Sequence, residues 1–236
     1  MLNVNDRRGL KLLGISCAAA LIALLLLVHP SFAQNDNAAL EKILNTMDAT
    51  AATFKSAQAD FEWDTYTAVV SDHDFKVGTI YYRKQGNSVE MSAEVRQSKN
   101  DPVQQYILFK NNKVEIYTPK TKQMQSFDAT SSKADVQSFL VLGFGGGGHE
   151  MLKSFDVHYA GTEHVQGVDA VKLELTPKSA SAQRMFNKVV LWIDPKLGMS
   201  VQQQLFAPSG DYKLSKYSNI KLNPKLSDDV FKLKRS

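Results

Sequence analysis

Cysteine is nearly absent from this sequence. Among 236 residues there is a single one, Cys17, and it lies within the apolar N-terminal segment. Removal of that segment would leave a chain without a thiol, which excludes disulfide bridges and a cysteine nucleophile. The fold must then be stabilised by its own hydrophobic core, and a chain of this length can bury one in a single domain.

Long apolar runs are also scarce. The most pronounced apolar run lies near the N-terminus. It follows the basic stretch MLNVNDRRGLK, covers residues 12–28 and precedes the small-residue site SFA. This order predicts a signal peptide, residues 1–33, that is cleaved after Ala33 to leave one exported domain, 34–236. A retained membrane anchor is the alternative, although the run is slightly short for a span of about 20 residues. Cys17 lacks the Leu-x-Ala/Gly spacing of a lipidated cysteine.

Catalytic and metal-binding motifs are missing as well. There is no GxSxG, and His149-Glu150 starts a zinc motif whose second histidine is replaced by Lys153. The segment DHD at 72–74 has the composition of a solvated turn, where neighbouring side chains point apart. The net charge of +4 comes without a long basic block. We therefore predict a protein that is not an enzyme, with no cofactor, no metal and no nucleic-acid partner; a hydrolase of unknown type is the disfavoured alternative.

The patterns that are present predict strands. Apolar residues recur at helical spacing over residues 37–54. From residue 58 onward the period becomes two, with short alternating segments separated by turns such as KQGN, KNDP and KNNK. We predict a mainly β (α+β) fold, in which about 10–11 antiparallel strands form a single curved sheet, an incomplete barrel. An N-terminal helix and a central helical insert would lid it, and the end, LSDDVFKLK, would be extended.

Several predicted strands are apolar on both faces. In VVLWI, Val189 and Leu191 alternate with Val190 and Trp192, and YILF at 106–109 behaves in the same way. A sheet with one wet face would not show this pattern. Each face must therefore be covered, by helices or by a bound apolar ligand.

The central insert ends in a glycine run, VLGFGGGGHE at 141–150, that satisfies GxGxxG. A dinucleotide loop requires a preceding strand in a βαβ setting, whereas here an amphipathic helix precedes and the surroundings are antiparallel. The apolar stripe of the insert predicts a lid made of Val136, Phe139, Leu140 and Phe144. The run is either an exposed flexible loop or the hinge of that lid, so that residues 133–149 would move on lipid binding. Its four glycines are Gly145, Gly146, Gly147 and Gly148.

The order of several short motifs resembles the periplasmic outer-membrane lipoprotein carriers of LolA type, over essentially the whole chain after the leader. FKSAQADFEWD is similar to the family's Phe-x-Ala-x-Phe-x-Gln, and GTIYYRKQ to its Gly-x-Leu-x-x-Lys-Arg-Pro hairpin. FKNNKVEIYTPK and LELTPK are similar to further family segments. VVLWIDPKLGMSVQQQLFAPSGDYKLSKYSNIKLNPKLSDDVFKLK is similar to the family's ending.

The resemblance implies a periplasmic carrier, a monomer, that shields lipoprotein acyl chains in an apolar cavity. It implies as partners an inner-membrane lipoprotein-releasing complex and an outer-membrane acceptor. A lipid- or stress-sensing module of the same fold is the alternative. The family's arginine corresponds to Arg83 or Lys84, which would couple cargo to the lid. The expected cavity lining is Phe61, Trp63, Tyr82, Met91, Ile107, Phe109, Leu173, Leu175 and Trp192.

Overall fold

A computed structural model describes residues 31–86, 88–128 and 142–234. The contacts divide the chain at Asp36, and the sheet with its cover belongs to the unit that starts at Asn37. Most of the expected signal peptide lies outside the described residues. The same holds for three expected lid residues, Val136, Phe139 and Leu140. Within the described ranges, no helix is both long enough and apolar enough to span a membrane.

Eleven strands form one antiparallel sheet, in the order β6-β5-β4-β3-β2-β1-β11-β10-β9-β8-β7. Each strand pairs with its neighbour in the chain except where β1 meets β11, so two meanders join at the centre. The first meander consists of β1 (Ser56–Thr67), β2 (Asp72–Gln85), β3 (Ser88–Arg96), β4 (Gln105–Lys110), β5 (Lys113–Thr118) and β6 (Gln123–Asp128). The second consists of β7 (Phe155–Val165), β8 (Val168–Pro177), β9 (Lys188–Asp194), β10 (Met199–Phe206) and β11 (Tyr212–Leu222).

The predicted fold class is confirmed. The described strands form a single mainly antiparallel β sheet, and its two ends, β6 and β7, do not pair with each other. The barrel is therefore incomplete, with helices over its concave face. The turns follow the local rules: Asn111 and Asn112 join β4 to β5 with positive φ, a conformation that asparagine tolerates better than most residues.

Helix α1 (Ser31–Thr53) covers the half of the concave face that belongs to the second meander. The helical spacing of Ile43, Leu44 and Met47 puts all three on the buried side of the helix. They pack on Leu173, Leu175, Val189, Leu191 and Ile193. The helix was expected to begin at residue 37 and begins at Ser31.

Four further helical segments lie within the described residues, and the first of them is a 3₁₀ turn, Ala68–Val70, between β1 and β2. Helix α2 (Gly148–Ser154) follows the glycine run, as expected for a short helix there. Helix α3 (Ala180–Met185) was not predicted; the side chain of Ser179 caps it by accepting a hydrogen bond from the amide of Ala182. A 3₁₀ turn at Asp228–Phe231 replaces part of the expected extended C-terminus.

The glycine run is pressed against helix α1. A Cβ on Gly148 would lie 2.5 Å from the carbonyl oxygen of Leu44, and one on Gly145 would lie 2.5 Å from the ring of Phe54. Gly145 also has φ of +80°, which disfavours any other residue. The interpretation of the run as an exposed loop is therefore wrong for this conformation, because close approach to the helix requires these glycines.

Gly148→Ala should destabilise the fold. The added methyl group would meet the backbone of Leu44, which cannot rotate away, so overpacking should lower the free energy of unfolding by about 1–3 kcal/mol. Chemical denaturation followed by circular dichroism measures the change. Gly86→Asn is the control, because a side chain at Gly86 meets nothing within 4 Å and asparagine accepts its φ of +59°. Equal stability of the two variants would contradict the packing described here.

Candidate functional site: the covered concave face

The concave face of the first meander is an apolar surface built by strand parity. Alternate residues of β1, β2 and β3 point towards it, and the pairing places these residues side by side across the strands. Its buried centre consists of Ala57, Ala59, Phe61, Ile80, Tyr82, Ala93, Val95 and Tyr217. Ala57 and Ala59 are the two alanines of β1 on this face; their small side chains leave room above the strand, beside the rings of Tyr82 and Tyr217.

Eight of the nine expected lining residues lie on the concave face. Phe61, Tyr82 and Phe109 are buried on the first-meander side of the concave face, where Trp63, Met91 and Ile107 pack at the margin. Leu173 and Leu175 lie under helix α1 on the second-meander side.

Trp192 does not share this face. It alternates along β9 with Leu191 and Ile193, which face helix α1, and so it points to the other side of the sheet with Val190, Ala170 and Val201. There its Nε1 donates a hydrogen bond to Glu163. The expectation that Trp192 lines the cavity is corrected by this parity.

Phe144 fills the room above the two alanines. Its side chain has no exposed surface; its ring stacks on Tyr82 with centroids 4.8 Å apart and meets Tyr217 edge-on at 4.6 Å. Of the four expected lid residues, it is the one that the structure describes. A side chain from the insert thus occupies the middle of the apolar face.

Polar contacts hold the backbone around this ring. The side-chain amide of Gln203 donates to the carbonyl of Leu142, and the hydroxyl of Tyr217 donates to the oxygen of that same amide at 3.2 Å. The amide of Ser200 donates to the carbonyl of Gly143 at 2.8 Å. We name residues 142–144 the plug segment. It is attached to β10 by one side-chain and one backbone hydrogen bond, and Tyr217 of β11 supports the amide of Gln203. Burial raises the pKa of Tyr217, which keeps its hydroxyl protonated as the donor.

The cleft that the described residues leave beneath this cover is small. A cleft of about 60 Å³ opens between helix α1 and the plug segment, lined by Met47, Leu142, Gly143, Gly146, Gly147, Glu150, Met151, Ser154 and Phe155. Pockets that hold small molecules measure roughly 300–1,000 Å³. The structure is therefore a closed state, in which an acyl chain would need the plug segment to move.

A histidine joins helix α2 to helix α1. The Nδ1 of His149 contacts the carboxylate of Asp48, its Nε2 lies 3.2 Å from Glu41, and its backbone amide donates to Asp48. Hydrogen bonds to Asp48 and Glu41 raise the pKa of His149 above 6.5. Burial alone would raise the pKa of Asp48, but the hydrogen bonds from His149 lower it below 3.8.

The two candidate basic residues lie on opposite sides of the sheet. Arg83 faces away from the concave face, where its Nη2 is 2.6 Å from buried Glu90 and its guanidinium also contacts Asp228. Its Cζ lies 4.2 Å from the ring centre of Phe231, so Arg83 anchors the C-terminal 3₁₀ turn. This placement corrects the expectation of Arg83 at the cavity mouth. Lys84 shares the parity of Tyr82 and is exposed at the end of β2.

Sequence reasoning missed several residues of the site. Asp48 and His149 are 101 positions apart in the chain, so no local pattern links them. Gln203 and Tyr217 reach the plug segment only through the pairing of β10 with β11. The alternation of Lys213, Ser215 and Tyr217 in KLSKYSN was a usable signal, since it puts an aromatic ring on one face of the strand. Among the described residues, no group of three or more metal-ligating side chains could hold an ion.

The fold is an incomplete barrel, an open antiparallel sheet with helices over its concave face. Family models give no match to this sequence, and curated protein sequences give none. Among solved structures, the chain is similar to MucB: 15% identity, TM-score 0.50, over 83% of this chain and 63% of MucB. It is also similar to the Mycobacterium tuberculosis lipoprotein LppX, at 12% identity and TM-score 0.48 over 81% of this chain and 98% of LppX.

A LolA superfamily protein from Nitrosomonas europaea is a further match, with 16% identity and TM-score 0.40 over 82% of this chain and 97% of that one. At such low identities the likeness concerns the fold alone. The chain spans about 63% of the length of MucB. The incomplete antiparallel barrel that the motif resemblance implied is the architecture of the described strands.

Arg83→Leu should lower stability, whereas Lys84→Leu should not. Without Arg83, buried Glu90 keeps only the ammonium of Lys110 at 3.1 Å, so we expect a loss of about 1–3 kcal/mol in the free energy of unfolding. Lys84 is exposed and makes no ion pair among the described residues, so its replacement should change stability by less than about 0.5 kcal/mol. Urea denaturation of both variants checks this; a larger loss for Lys84→Leu would contradict the assignment.

His149→Gln should change the pH dependence of stability. A histidine with a raised folded pKa stabilises the fold fully below its ordinary value of 6.5, and this contribution disappears as pH rises through the folded pKa. The carboxylate of Asp48 contributes above its ordinary value of 3.8 and is lost as pH falls through its lowered folded pKa. The melting temperature of the wild type should therefore exceed that of the variant mainly between pH 3.8 and pH 6.5, the ordinary pKa values of the two groups.

Melting temperatures at about pH 5 and about pH 9 measure this difference. His158→Gln is the matched control, because His158 is exposed on β7 and has no hydrogen-bond partner among the described residues. A gap between wild type and His149→Gln that stays the same at both pH values would show that His149 does not titrate against the helix.

Proposed function

We propose that this protein binds the acyl chains of lipoproteins on its concave face, in the place that the plug segment occupies in the closed state. The observation that carries the proposal is Phe144: a single aromatic side chain, fully buried, fills an apolar site between Tyr82 and Tyr217. A site that accepts a ring offered by the protein's own chain is suited to another apolar group of similar width.

The free energies involved favour replacement of the plug segment by an acyl chain. Exposing Phe144 costs roughly 1.5–3 kcal/mol, and each hydrogen bond that holds the plug segment contributes about 0.5–1.5 kcal/mol. Shielding a lipid chain of about fifteen methylenes from water is worth on the order of 10 kcal/mol, at about 0.8 kcal/mol for each CH₂. The chain therefore outcompetes the plug segment, while the plug segment lowers the net affinity enough to allow release.

A carrier role requires an aqueous compartment between two membranes. We propose that residues 1–33 are a cleaved signal peptide, that the domain 34–236 works in the periplasm, and that a lipoprotein-releasing complex and an outer-membrane acceptor exchange cargo with it. The proposal is supported by the basic stretch, the apolar run and the small-residue site of the leader. N-terminal sequencing of the exported protein should find Gln34 or a neighbour; a retained Met1 in the membrane fraction would refute the cleavage.

Phe144→Ala should bind acyl chains more tightly than the wild type. The ring no longer competes for the site, so the affinity for a diacylated lipopeptide should rise by about tenfold or more. Phe75→Ala is the control, because Phe75 is 58% exposed on β2 and has the parity of Arg83, on the side of the sheet away from the concave face. Equilibrium binding of a fluorescent lipopeptide, with folding checked by circular dichroism, measures the effect. An unchanged or weaker affinity in Phe144→Ala would contradict ligand binding beneath the plug segment.

A lipoprotein-transfer assay distinguishes the carrier from the alternative, a sensing module of the same fold. A carrier moves a labelled lipoprotein from donor vesicles to acceptor vesicles and co-purifies from the periplasm with acylated protein. A sensor retains its ligand and co-purifies with a membrane regulator. Both outcomes are read by mass spectrometry of the protein purified without detergent.

A further inference from the structure

One lysine on the concave face has no acidic partner within the part of the chain that the structure describes. Lys213 lies on β11 opposite Thr65 of β1 and Leu205 of β10, with the same parity as Tyr217. Its Nζ lies 3.4 Å from the ring centre of Trp63, and Trp63 in turn stacks on Phe61 at 4.0 Å. The cation therefore ends a row of aromatic rings that runs along the apolar face.

The surroundings of this ammonium group do not neutralise it. Among the described residues, no carboxylate forms an ion pair with Lys213. The neighbouring cation of the same face, Lys76, is held by Asp74 at 2.6 Å and by Gln97 at 2.7 Å. Other side chains of this face near Lys213 are uncharged: Thr65, Trp63, Leu205, Gln203 and Ser215.

Lys213 is half-buried, and withdrawing a charge from water is costly. Burial lowers the pKa of Lys213 to about 8, well below the ordinary value of 10.5. The contact with Trp63 offsets part of the cost, since a cation over an indole ring gains about 0.5–2 kcal/mol. The contact with Trp63 does not neutralise the ammonium group. An anion beside Nζ would therefore stabilise the lysine in its charged form.

We propose that Lys213 binds the anionic headgroup, phosphate or carboxylate, of an amphiphile whose acyl chain lies along Trp63 and Phe61 towards the place of Phe144. The inference rests on the proposed acyl-chain site and adds the chemistry of its ligand. From Lys213 to Tyr217 the strand advances four residues, about 13 Å at roughly 3.3 Å per residue. The headgroup is therefore held at one end of the row, while the chain reaches the plug segment at the other.

The test compares amphiphiles that share one chain. In a Trp192→Phe background, Trp63 fluorescence reports binding of dodecyl phosphate, of neutral dodecyl maltoside and of inorganic phosphate. Dodecyl phosphate should bind about tenfold more tightly than dodecyl maltoside. Lys213→Met should abolish this preference and leave the affinity for dodecyl maltoside within about twofold. Lys216→Met is the matched control, because Lys216 lies on the same strand with the opposite parity.

A pH series adds a readout that a structural role for the lysine would not move. The preference for dodecyl phosphate should decline as pH rises through about 8, where Lys213 loses its proton. Lys213→Arg should keep the preference at about pH 10, since arginine stays charged there and also stacks on an indole ring. This variant retains the cation over Trp63, so it also covers the case in which Lys213→Met fails to fold.

The outcomes separate the two proposals. Equal affinity for both amphiphiles, unaffected by Lys213→Met, would overturn the headgroup site and leave the acyl-chain site standing. Failure of dodecyl maltoside and dodecyl phosphate to bind at all would overturn the acyl-chain site itself. Saturable binding of inorganic phosphate that needs Lys213, with no gain from the dodecyl chain, would assign the lysine to a free anion and refute the amphiphile.

Discussion

The structure depends on the burial of Phe144 between Tyr82 and Tyr217. An open sheet of eleven strands presents a concave apolar face that a closed barrel would fill with its own side chains, and helix α1 covers only the second-meander half. The ring of Phe144 packs at the middle of the other half. The rest of the cover follows from it, because the chain must pass close to helix α1 to deliver that ring.

This requirement explains the glycine run. Gly143 and Gly145 flank the ring with positive φ, and each lies so close to a neighbouring side chain that a Cβ would come within 2.5 Å of it. Gly148 then lies against the backbone of Leu44, which lets helix α2 start directly at helix α1. Close packing, rather than flexibility in itself, is the physical reason for glycine at these positions. A cover that packs closely but is held by few polar contacts can be exchanged for a ligand as a unit.

Local rules predicted much of the fold. The period of two gave the strands, the spacing of Ile43, Leu44 and Met47 gave the covering helix, and turn composition gave the connections. These features depend on neighbours in the chain, which the sequence displays directly.

The errors concern relations between distant segments. Trp192 and Leu173 lie on strands that pair, but the sequence alone does not say which residue faces which, and one step of register moves a side chain to the other face. The Arg83 anchor depends on a C-terminal turn that begins after Ser227, whose side chain caps it. The partners of His149 and of the plug segment come from other elements, so local patterns could not predict these contacts.

Displacement of the plug segment by an acyl chain is the central claim, and the amide of Ser200 reports on it most directly. This amide donates its hydrogen bond to the carbonyl of Gly143, within the plug segment. Hydrogen exchange of the Ser200 amide, measured by NMR with and without a saturating diacylated lipopeptide, follows the release of that bond. We predict faster exchange at Ser200 with the lipopeptide bound, while amides paired within β2 and β3 keep their protection. Unchanged or slower exchange at Ser200 in the saturated protein would contradict the account.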